Sequence, residues 1–97
     1  MSIGPYGKKV AMTDTLTMTA DTAIVIGTSG LSGGKTLTLP LVSDCDNDDK
    51  LVVNLAASGG TITVAAASGD AVVGRVTCLV ATGLRLVHDN IDTWYGF

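Results

Sequence analysis

The stretch KLVVNLAASGGTITVAAASGD, residues 50–70, decides the fold class. Lys50 to Leu55 is a short run rich in Leu and Val, and Thr61 to Ala66 alternates Thr, Ile, Thr and Val before its alanines. Period-two alternation over four to eight residues, bounded by turn residues, is the pattern of a half-buried strand. Ser58-Gly59-Gly60 stands between the two runs and Ser68-Gly69-Asp70 follows the second, so the pair reads as a hairpin closed by a turn on each side.

The same grammar extends outward in both directions. Upstream, Leu16 and Met18 alternate with Thr15, Thr17 and Thr19, giving a strand with a threonine-covered face. Asp21 interrupts it, Thr22 to Ile26 form a second run, and the glycine-rich segment 27–34 (GTSGLSGG) reads as a flexible turn. Lys35 to Leu39 (KTLTL) alternates again and stops at Pro40, which lacks the N–H that a sheet ladder needs. Downstream come Ala71 to Val73, Arg75 to Val80 after Gly74, a turn at Thr82-Gly83, Leu84 to His88, a tight turn at Asp89-Asn90, and a closing strand, Thr93 to Phe97. No stretch offers the helices that would link parallel strands in an α/β sheet. The expectation is therefore an all-β fold, a small antiparallel β-sandwich or barrel-like domain over residues 13–97. Residues 1–12 hold Gly4, Pro5, Gly7 and Lys8-Lys9, and are expected to form an extended N-terminal arm.

Composition supports strands and argues for self-association. All nine acidic residues are Asp, and neither Glu nor Gln occurs, so the side chains that favour helix surfaces are nearly absent. Hydrophobic residues make up 46% of the chain and charged ones 15%, against about 25% charged in ordinary globular domains. A chain of 97 residues forms one domain and buries only about 60–65% of its unfolded surface. Contacts with copies of itself would supply the missing burial. No uninterrupted apolar run reaches the roughly 18 residues of a membrane-spanning helix. The N-terminus lacks the charged head and apolar core of a secretory signal, which points to cytoplasmic synthesis. Net charge is −3, and the six basic residues are scattered, so neither nucleic acid nor membrane is expected as a partner. Cys45 and Cys78 have no metal or redox spacing, and both are expected as thiols, Cys78 within a strand.

The chain offers little for catalysis. His88 is the single histidine, and Asp89 beside it would point to the opposite face of a strand. GTSGLSGGKT ends like a phosphate loop, yet Ser29 stands where that loop needs its first glycine, and a strand ending in Pro40 follows instead of a helix. Asp44, Asp46, Asp48 and Asp49 have at most the spacing of a loose calcium loop: Asp49 takes the place of the glycine of an EF-hand, and Leu55 that of its bidentate Glu. The first three are weak metal candidates on a loop read as an exposed, solubilising one. Of the adjacent Trp94 and Tyr95, one is expected in the core and its neighbour outside. No enzyme and no cofactor is expected.

From Thr36 to Tyr95 the order of features resembles a module of bacteriophage tail fibres, spikes and related virion proteins. These are the strand ending in Leu39-Pro40, the valine-rich run Lys50 to Leu55, the alternating run Thr61 to Ala66, the turn Ser68-Gly69-Asp70, and Asp89 through Trp94-Tyr95. In place of the module's short turn after Leu-Pro, this chain carries its acidic loop with Cys45. The resemblance implies a homotrimeric, β-rich virion part with Pro40, Gly69, Asp70 and Trp94 as structural anchors. Fibres and spikes are usually long, so a short chain with an arm is most similar to the capsid decoration, or cement, proteins of tailed phages. That implies a homotrimer on the capsid surface that binds the major capsid protein, with Ile3, Pro5, Tyr6, Lys8 and Lys9 of the arm as contact residues. The alternative is a tail fibre or spike module that binds a host receptor or a glycan.

Overall fold

A computed structural model describes residues 8–45, 49–56 and 59–97. Ten strands occur in it: β1 (Lys8–Met12), β2 (Leu16–Thr17), β3 (Thr22–Gly27), β4 (Gly34–Thr38), β5 (Lys50–Asn54), β6 (Thr61–Ala65), β7 (Ala71–Gly74), β8 (Thr77–Cys78), β9 (Thr82–His88) and β10 (Thr93–Gly96). One 3₁₀ turn, Val42–Asp44, precedes β5, and no α-helix is present among the described residues. The chain is all-β, in two sheets. The larger has the order β1-β3-β5-β9-β10-β7 and the smaller β2-β4-β6-β8.

The expected antiparallel arrangement is corrected. Among the described residues five of the eight strand pairings run parallel: β1 with β3, β3 with β5, β2 with β4, β4 with β6, and β7 with β10. Only β5–β9, β9–β10 and β6–β8 are antiparallel. Parallel neighbours need a crossover, and here a strand of the opposite sheet supplies it. Successive strands from β1 to β8 alternate between the two sheets, so the chain winds as a flattened coil. Ile24 pairs with Leu51 and Gly34 with Thr61, the same spacing in sequence, so β3–β4 and β5–β6 are consecutive turns of that coil. The hairpin β9–β10 then inserts between β5 and β7.

It follows that residues 50–66 do not form a hairpin. β5 and β6 lie in different sheets, and the connection between them carries Ala56 and Gly60 into the interior. A Cβ on Gly60 would come within 2.8 Å of the Leu31 carbonyl oxygen and 2.9 Å of the Ala56 methyl. The turn expected at Thr82-Gly83 falls one step earlier, with Ala81 at φ 63°, and both residues belong to β9. Lys8 to Met12, expected in the arm, form the edge strand β1 with Met12 buried. The remaining arm residues, Ile3, Pro5 and Tyr6 among them, lie outside the described residues.

The core lies between the sheets. Val25, Val52, Leu84, Leu86 and Trp94 enter it from the larger sheet, and Leu37, Ile62, Val64 and Cys78 from the smaller one, with Leu31, Leu39 and Val42 closing it from the connections. Neither cysteine is in a disulfide: Cys78 is buried and Cys45 half-buried.

Candidate interaction surface

Each sheet turns one face to the core, and the two outer faces differ in chemistry. On the smaller sheet the outer positions are threonines: Thr17 stands opposite Thr38, Thr36 opposite Thr63, and Thr63 opposite Thr77. Leu16, Leu37, Val64 and Ile62 take the alternate, inward positions. This is the solvated face usual for a half-buried sheet.

On the larger sheet most outer positions are apolar, with Lys9 beside Ile24 and Arg85 beside Leu51 as the basic exceptions. Ala11 stands opposite Ile26 and Ile26 opposite Val53; Ile24 stands opposite Leu51; Tyr95 is flanked by Val87 and Val73. Ile24, Ile26, Leu51, Val53 and Val87 are half-buried against one another, while Val73, Tyr95 and Phe97 are 49%, 41% and 66% exposed. Arg85 sits opposite Leu51 within this face, and its guanidinium donates to the Asp49 carboxylate from Nη2 at 2.6 Å and Nε at 3.1 Å. Both partners are substantially exposed, so in the single chain the pair contributes about 0–1 kcal/mol.

The four residues expected as anchors gather around the segment after β4. Trp94 is fully buried, and its indole Nε1–H donates to the Pro40 carbonyl oxygen at 3.2 Å. The His88 ring meets the Trp94 ring edge-on at 4.9 Å. Asp70 Oδ2 accepts the Val42 N–H at 2.8 Å, and Gly69, at φ 96°, makes the turn that presents it. The last strand and the turn after β6 therefore fasten the entry to the 3₁₀ turn from two sides. Tyr95, the neighbour of Trp94, faces out.

Among the described residues the polar candidates do not assemble. Asp46 and Asp48 lie outside the described residues, and Asp44 is exposed at the end of the 3₁₀ turn. Asp49 is engaged by Arg85. Among the described residues no three His, Cys, Asp or Glu side chains come together as a metal ion would need. His88 Nδ1 accepts the Asn90 N–H at 3.0 Å. Asp89 folds back to accept the N–H groups of Ile91, Asp92 and Thr93, which holds its carboxyl below the usual carboxylate range, the Ile91 bond most of all. Both side chains serve the turn before β10. Lys8 pairs with Asp21 at 3.2 Å at the start of the edge strand, and Lys9 is exposed beside it.

Two buried polar residues escaped the sequence reading. Lys50 is buried, and its Nζ donates to the Ala20 carbonyl oxygen at 2.7 Å. Asn54 donates to the carbonyl oxygens of Gly60 and Cys78 and accepts the Ala56 N–H. Their signal was parity: both share the inward face of β5 with Val52. Compared with known proteins, the chain matches no family model, no curated protein and no solved structure.

Proposed function

We propose that this chain is a structural virion protein, a capsid decoration protein that binds the assembled head of a tailed phage as a homotrimer and stabilises it. The supporting observation is the outer face of the larger sheet, where Ile24, Ile26, Leu51 and Val53 lie on one side of Arg85 and Val73, Val87 and Tyr95 on the other. Apolar side chains gathered on one outer face support a site of association. A protein that binds the assembled shell and not its free subunits stabilises the shell by mass action. Residues 1–7, with Ile3, Pro5 and Tyr6, and the adjoining Lys8 and Lys9 are the segment assigned to the capsid.

The test uses heads of the encoding phage assembled without this chain. Added protein is expected to bind in groups of three and to raise the temperature at which the heads rupture. Absence of binding overturns the proposal. Removing residues 1–7, which leaves β1 whole, is expected to weaken head binding at least about tenfold with the oligomer mass unchanged. Undiminished binding overturns the arm's role. Exposed Tyr95 and Phe97 favour a second reading, a tail fibre or spike module, because a glycan-binding surface needs exposed rings. Binding to host polysaccharide together with no affinity for heads would select it.

A further inference from the structure

We draw no further inference here: the strongest candidate, the outer face of the larger sheet with its aliphatic block Ile24, Ile26, Leu51 and Val53, carries none because nothing in the structure shows what covers it.

Discussion

Asn54 points from β5 into the core, fully buried, and uses both ends of its amide. Its Nδ2 donates to the Gly60 carbonyl oxygen at 2.9 Å and to that of Cys78 at 3.0 Å, while Oδ1 accepts the Ala56 N–H at 3.0 Å. These three bonds join β5 to the connection that crosses to the other sheet and to β8 within that sheet. Replacing Asn54 with Leu keeps the volume but leaves two carbonyls and one N–H without their partner. Each buried orphan costs about 1–3 kcal/mol, and partial relaxation brings the expected loss to about 3 kcal/mol. For a domain of this size that lowers Tm by roughly 15 °C. Thermal unfolding followed by circular dichroism measures it, and a loss under about 1 kcal/mol would show that the amide is not the clasp. Asn54→Asp is expected to be worse, because a carboxylate would face two carbonyl oxygens in a fully buried site.

At the scale of elements, the tightest approach lies where β7 meets β10. Gly74 pairs with Gly96 in parallel register, and the Arg75 N–H donates to the Gly96 carbonyl oxygen at 2.9 Å. A Cβ on Gly96 would collide with the Arg75 carbonyl oxygen, and one on Gly74 would come within 2.6 Å of the Gly96 oxygen. Gly96→Ala is therefore expected to separate β7 from β10 and cost about 2–4 kcal/mol. Hydrogen exchange would show faster exchange in β7 while β3 and β5 stay protected. Strand positions were legible in the sequence: Lys50 to Leu55 and Thr61 to Ala66 match β5 and β6 to within a residue, because alternation reports which side chains face the core. Strand partners were not. Alternation carries no information on which neighbour shares the ladder, and a glycine-bearing connection of a few residues can reverse a chain within one sheet or lift it into the next. Between β5 and β6 the chain passes to the other sheet. The antiparallel expectation fails for a related reason: it counts only helices as crossovers, and here strands of the facing sheet serve instead. Among the candidate surface residues, the threonine face was legible from Thr17 and its neighbours. The apolar outer face was not, since the register that sets Tyr95 beside Val73 and Val87 joins segments far apart in sequence.

For the whole molecule, the question is whether unfolding and dissociation are one event. The single chain has one face of solvated threonines and one of half-covered aliphatic side chains, and in isolation it keeps the second against water. If three copies cover that face, the folded state is favoured by mass action and Tm depends on protein concentration. The size of the effect follows from the unfolding enthalpy, about 70 kcal/mol for a chain of this length and three times that for the assembly. When one assembly yields three unfolded chains, a tenfold dilution is expected to lower Tm by about 5 °C. A single folded chain shows no dependence. Scanning calorimetry over a hundredfold range of concentration therefore separates the cases by about 10 °C, well above the scatter of such measurements. Tyr95→Lys should abolish the dependence, and Thr36→Lys should preserve it. A concentration-independent Tm in the unsubstituted chain would mean that the aliphatic face is stable in water without a copy, and the physical reason for assembly would be gone.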